Sequence, residues 1–156
     1  VDETGRLLPA DEAPPAWAGR IEGDGNGTRF RLAGNVWLTS GDVRQLQLAK
    51  AAVSAGIQTL LAEAGVAPEE LSAFYLAGGF GSYLRPESAA AIGLFPDTLL
   101  DRLHVAGNSA GAGSSAVLLS TGAEKLLTET VERCRYLELS GLPRFNSTYL
   151  DCMSFE

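Results

Sequence analysis

The sequence predicts an α/β domain in which helices pack on a mixed sheet, and three observations carry that expectation. Apolar runs at 71–77 and 103–106 are too short for helices and end in glycine clusters, as buried parallel strands do. A segment at 40–64 repeats apolar residues at spacings of three and four, the helical period. Along the chain the order runs strand, helix, strand, helix, strand, helix, which is that of an α/β sandwich.

Each element has a local cause. Residues 1–35 are rich in Gly, Pro and Asp and read as a linker with an edge hairpin, leaving 36–156 as the lobe proper. The hairpin turn is Gly23-Asp24-Gly25-Asn26-Gly27, between 20–22 and 28–32. A phosphate-gripping acidic loop would follow a buried apolar strand, and Arg20, Ile21 and Glu22 do not form one. A calcium loop would need further acidic ligands downstream, so a plain turn is preferred. Val36, Trp37 and Leu38 form a short strand that runs into the 40–64 helix. Thr39 is its expected N-cap, with Asp42 three residues on, and Gly65 its stop. Val43, Leu46, Ala49, Val53, Ile57, Leu60, Leu61 and Ala64 make the apolar stripe expected to face the core. Pro86 opens a short helix ending at Gly93. After the 103–106 strand, one helix is expected from about Ser114 to Ser120. A second, capped by Thr121 with Glu124, should run to about Cys134. A last strand at 136–139 and a last helix at 144–153 complete the expectation.

At 156 residues the chain is the size of one domain, and its 46% hydrophobic content suits a packed globule. A net charge of −7 and a pI near 4.7 repel phosphate backbones and anionic lipid, arguing against nucleic-acid or membrane-surface partners. No apolar run approaches the ~18 residues that span a bilayer. The start at Val1 shows no signal peptide and is expected of a piece of a longer chain. Cys134 and Cys152 form no CxxC and have no neighbouring His, so no zinc or iron–sulfur site is expected in this chain. Two lone cysteines suit a reducing, cytoplasmic compartment.

The chemistry is expected where the two buried strands end in glycine, because open α/β sheets bind ligands at strand carboxyl ends. Glycines there let backbone N–H groups approach a ligand closely; the bland reading is that they only join elements. Gly107-Asn108-Ser109-Ala110-Gly111 matches the G-x-S-x-G elbow of serine hydrolases. That fold takes its His after the Ser, and here the one His, His104, precedes Ser109 on the strand feeding the turn. Gly111-Ala112-Gly113-Ser114-Ser115-Ala116 fits a dinucleotide fingerprint, but too far from the strand end, and Glu132 falls in a helix rather than at the end of a second strand. No P-loop occurs.

Leu76-Ala77-Gly78-Gly79-Phe80-Gly81 resembles the adenosine motif of the actin, sugar-kinase and heat-shock chaperone ATPases, a ribonuclease H-like fold. The resemblance implies backbone lying flat against adenine and ribose at Gly78, Gly79, Phe80 and Gly81. The preceding helix would lend Gln47 or Lys50 to the purine; for Lys50 a solvated helix face is the plain alternative. From Leu38 to Ser120 the motifs are more specific. Leu38-Thr39-Ser40-Gly41-Asp42-Val43-Arg44, Gln47-Leu48-Ala49-Lys50, Tyr75-Leu76-Ala77-Gly78-Gly79-Phe80-Gly81, Ile92-Gly93-Leu94-Phe95-Pro96-Asp97 and Gly107-Asn108-Ser109-Ala110-Gly111-Ala112-Gly113 resemble, in order, the C-terminal part of the reductive activators of corrinoid proteins. That family implies an actin-like ATPase lobe, with Asn108 and Gly111 also beside the nucleotide. It implies a parent protein with a [2Fe–2S] ferredoxin domain that uses MgATP to return Co(II) corrinoid to Co(I). Its partner would be the corrinoid protein of a methyltransferase system, and a homodimer is left open. The cluster cysteines and acidic phosphate loops of the family lie upstream, so this chain is expected to carry the adenosine side only, with no catalytic or metal-binding residue. A non-catalytic interaction or dimerisation module of the same fold is the alternative.

Overall fold

The computed structural model describes residues 1–155, apart from the side chains of Phe80 and Ser82. After a short helix α1 (Pro15–Ala18), three antiparallel strands follow: β1 (Ile21–Glu22), β2 (Arg29–Ala33) and β3 (Val36–Thr39). Ile21 pairs with Phe30, and Arg31 with Trp37, across the division at residue 35. The 23–27 turn closes on itself: Gly23 has φ +82°, and the Thr28 hydroxyl donates to Gly25 O at 2.9 Å. The Arg29 and Arg31 guanidinium groups lie 4.2 and 4.6 Å from the Trp37 ring centroid.

Helix α2 (Ser40–Ala64) starts where the sequence places it. The Thr39 hydroxyl accepts from Asp42 N at 3.2 Å, and Asp42 accepts from Thr39 N at 2.8 Å, a reciprocal capping box. Gly65 ends it in the left-handed region at φ +66°. Its buried face meets the expected apolar stripe only in part, at Val43 and at Ile57, which packs against the core. Val43, Gln47, Lys50, Ala51, Ser54, Ala55, Gly56 and Thr59 are buried, while Leu46, Val53 and Leu60 are exposed. The small residues Ala51, Ala55 and Gly56 let other backbone come close, and α7 (Pro143–Asp151) packs there.

The second sheet has two strands, β4 (Phe74–Ala77) and β5 (Leu103–Gly107), adjacent and parallel with Leu76 opposite Val105, as the sequence predicts. The expectation that they are buried is corrected, since neither strand has a fully buried residue and one sheet face is open. β4 begins three residues into the 71–77 run, after the 3-10 turn at Pro68–Glu70. Between the strands lie α3 (Gly78–Tyr83), α4 (Pro86–Ala91) and a 3-10 helix at Asp97–Arg102. Phe74 and Leu103 join Ala89, Leu94, Phe95 and Leu99 in the core, with the Phe74 and Phe95 rings 5.2 Å apart. The opposite sheet face carries Tyr75 and His104, ring against ring at 5.4 Å, both exposed.

Helices α5 (Ser109–Leu119) and α6 (Thr121–Arg133) pack on each other, and neither has a buried residue. Three local expectations are corrected. Residues 136–139 form no strand, since no neighbouring strand supplies hydrogen bonds there. Helix α6 has Ser120, not Thr121, at its N-cap, with no side-chain capping bond. Helix α5 begins at Ser109 rather than near Ser114. No helix among the described residues is long and apolar enough to cross a membrane.

Candidate functional site

Parallel pairing sets Ala77 opposite Gly107, so both glycine segments leave the sheet side by side at its carboxyl edge. The chain turns at once in each case. Gly78 takes φ +88°, a conformation that disfavours any side chain, and opens α3 directly. Gly107 takes φ +60°, and Asn108 then caps α5, its Oδ1 accepting from Gly111 N at 3.0 Å. That bond is why α5 starts so early.

The glycines divide into two kinds by what a Cβ would meet. At Gly78, Gly79 and Gly107 it would meet nothing within 4 Å. At Gly81 it would lie 2.7 Å from Leu76 Cγ, and at Gly111 2.6 Å from Asn108 Nδ2. Gly81 and Gly111 are therefore packing glycines, whereas open space lies beside Gly78 and Gly79. A flat ligand could approach that backbone, and a branched side chain at Gly79 would fill the space. Phe80 lies among the residues whose side chains are outside the described set.

Gln47 and Lys50 are placed elsewhere, which corrects the expectation that either reaches the purine. They are 3% and 2% exposed, on the buried face of α2. Gln47 Nε2 donates to Thr4 O at 2.9 Å and Met153 O at 3.0 Å. Lys50 Nζ donates to Cys152 O at 2.8 Å and to Ser154 O, and lies 4.9 Å from the Phe155 ring centroid. Phe155 N in turn donates to Glu3 O at 2.8 Å. The two side chains thus lace the chain's ends onto α2. The plain alternative for Lys50, a solvated face, is also overturned. Sequence periodicity could not show this, because three of the bonds run to backbone carbonyls about a hundred residues away and the fourth to Thr4, 43 residues back.

The hydrolase and dinucleotide patterns lose their geometry. The His104 ring faces Tyr75 on the strand, so it is not set beside Ser109 as a base. Gly111 and Gly113 sit inside α5, not in the turn before it. Cys134 is exposed after α6, and Cys152 is half-buried after α7, where its sulfur accepts from Gln58 Nε2 at 3.3 Å. A four-cysteine cluster site cannot be built from these two.

Comparisons with known proteins bear on the fold and family of the chain. The family described as the C-terminal domain of RACo, the ASKHA domain, matches residues 18–156. A corrinoid activation enzyme, RamQ of Eubacterium limosum, is 33% identical over 116 residues, 74% of this chain and 20% of that protein. A solved reductive activator for corrinoid, iron–sulfur protein superimposes with a TM-score of 0.83 at 31% identity, covering 99% of this chain and 25% of that one. The chain therefore spans a fifth to a quarter of the length of these relatives, and its fold is that of an actin-like ATPase lobe. By the extent of the family match, the chain belongs to the RACo C-terminal, ASKHA-domain family.

Proposed function

We propose that this chain is the nucleotide lobe of an ATP-dependent reductive activator that returns corrinoid proteins from Co(II) to Co(I), and that it holds the adenosine side of the nucleotide. One observation carries the reading: two left-handed glycines, Gly78 and Gly107, end adjacent parallel strands, with open space beside them. Gly78 and Gly79 would offer bare backbone to the base and ribose, Gly81 would hold α3 against Leu76, and Asn108 with Gly111 would fix the start of α5 beside them. ATP, when bound with its metal, supplies the driving force for electron transfer. This chain's residues bind and orient its nucleoside and take no part in the phosphate chemistry. The iron–sulfur group, the corrinoid partner and a cytoplasmic location belong to the parent protein in the same proposal.

Titration of the 15N-labelled chain with ATP tests it. Shifts at Gly79, Gly81 and Asn108 are expected, saturating in the millimolar range, about −4 kcal/mol, and lost in Gly79→Val. Nucleotide turnover by the chain alone, abolished by the same change, would overturn the adenosine-only reading, since hydrolysis needs groups to hold metal and water. Absence of any shift at these glycines would favour the interaction-module alternative, to which the exposed Leu118, Leu119, Leu126 and Val131 of α5 and α6 lend support.

A further inference from the structure

A half-open cavity of about 870 Å³ lies on the side of the lobe away from the glycine segments. Its walls come from Pro68 before β4 and from Phe95, Pro96 and Leu100 before β5, at the amino ends of the strands. Helix α2 and the chain's last residues close the other side. The lining is mainly apolar, from Phe95, Pro96, Leu100, Ala90 and Ala91, with Ser54, Gln58 and Ser154 on the α2 and terminal side. The rim is acidic: Glu87 on α4, Asp97 on the 3-10 helix and Asp151 on α7 are all exposed. Among the described residues none of these three carboxylates has an ion-pair partner. Among the described residues the cationic side chain in the lining is Lys50, which is buried and donates to the carbonyls of Cys152 and Ser154. Carboxylates from three separate elements therefore line a mainly apolar trough.

We propose that this trough docks a segment of a partner protein that presents apolar side chains flanked by Lys or Arg. The charge complementarity selects the sign of the partner. Rim carboxylates of this kind steer a basic segment and fix its register, while burial against the apolar lining supplies affinity. A cavity open along one side, with a mainly apolar lining, fits two or three side chains of a peptide better than an enclosed small molecule. The inference rests on this face alone and stands apart from the nucleotide reading.

The test is a 15N spectrum of the 156-residue chain titrated with an acetylated, amidated KLLKLLK peptide, its ELLELLE counterpart, and spermidine. KLLKLLK should shift the amides of Ala90, Ala91 and Gly93, and ELLELLE should not. The Glu87→Gln, Asp97→Asn double variant should weaken KLLKLLK by roughly tenfold, as should high salt. Ala91→Trp, at an exposed lining position, should block the peptide while leaving the remaining spectrum in place. Absence of binding, equal binding of ELLELLE, or shifts confined to α5 and α6 would each overturn the proposal. Spermidine reproducing the same shifts and affinity would overturn it in favour of a small-amine site.

Discussion

Replacing Lys50 with Met removes the ammonium that ties the chain's last residues to α2 while nearly keeping the side chain's volume. Two charge-assisted hydrogen bonds are lost, to the carbonyls of Cys152 and Ser154, a gross loss of about 3–6 kcal/mol. Met no longer has to desolvate a buried charge, which offsets part of this. The two carbonyls left without that donor add back a penalty of about 1–3 kcal/mol. The net expectation is a destabilisation of about 3 kcal/mol, or roughly 6–12 °C in melting temperature for a domain of this size. Urea unfolding followed by circular dichroism measures it from the shift in midpoint at constant slope. The control is Lys125→Met, whose side chain is exposed and lies 3.8 Å from Glu129; it should move stability by no more than about 0.5 kcal/mol. A Lys50→Met protein within about 0.5 kcal/mol of the parent would refute the reasoning, because the terminal lacing would then contribute nothing measurable.

Three further outcomes follow from single contacts. Gly81→Ala, whose Cβ would sit 2.7 Å from Leu76 Cγ, should cost about 1–3 kcal/mol, whereas Gly113→Ala, which meets nothing, should be neutral or better in thermal melts. Thr39→Ala should cost about 1 kcal/mol by removing the α2 cap. The Thr39 side chain also holds the Asp42 carboxyl below its ordinary value, so this stabilisation is present above the unfolded carboxylate range and fades as pH falls through the lowered folded value; pH-dependent melts should show Thr39→Ala and the parent converging in acid. Ser109 should resist labelling by a fluorophosphonate probe, and stoichiometric labelling there would reinstate the hydrolase reading.

The parts of the fold legible in the sequence are those fixed by local chemistry. The Thr39–Asp42 box, the Gly65 stop, the 23–27 turn and the two glycine-terminated strands each depend on residues within a few positions of one another, so composition and spacing determine them. The 136–139 run shows where that logic fails. Its alternation suits a strand, but a strand needs a neighbour to complete its hydrogen bonds, and sequence spacing says nothing about whether one is there. The early start of α5 was hidden for the opposite reason: it turns on one side-chain cap, Asn108 to Gly111 N, that overrides the low helix propensity of a glycine-rich segment.

The candidate site divides along the same line. The turns at Gly78 and Gly107 could be read from the sequence because a backbone at the end of a parallel strand has few ways to turn, and each takes a conformation that favours glycine. Gln47 and Lys50 could not. A polar residue among apolar ones on α2 reads as solvated or as reaching for a ligand, and the structure gives a third answer, burial against backbone carbonyls from both ends of the chain. The same periodicity argument placed only part of the α2 face, at Val43 and Ile57. It counts apolar side chains, whereas Ala51, Ala55 and Gly56 bury that face by being small enough to admit other backbone, and the bonds of Gln47 and Lys50 meet the polar groups that arrive with it. Leu46, Val53 and Leu60, the exposed part of the apolar stripe, therefore follow from the same cause as the buried lysine: one helix face is committed to α7 and the chain's terminal segments, so the stripe is covered only in part, at Val43 and Ile57.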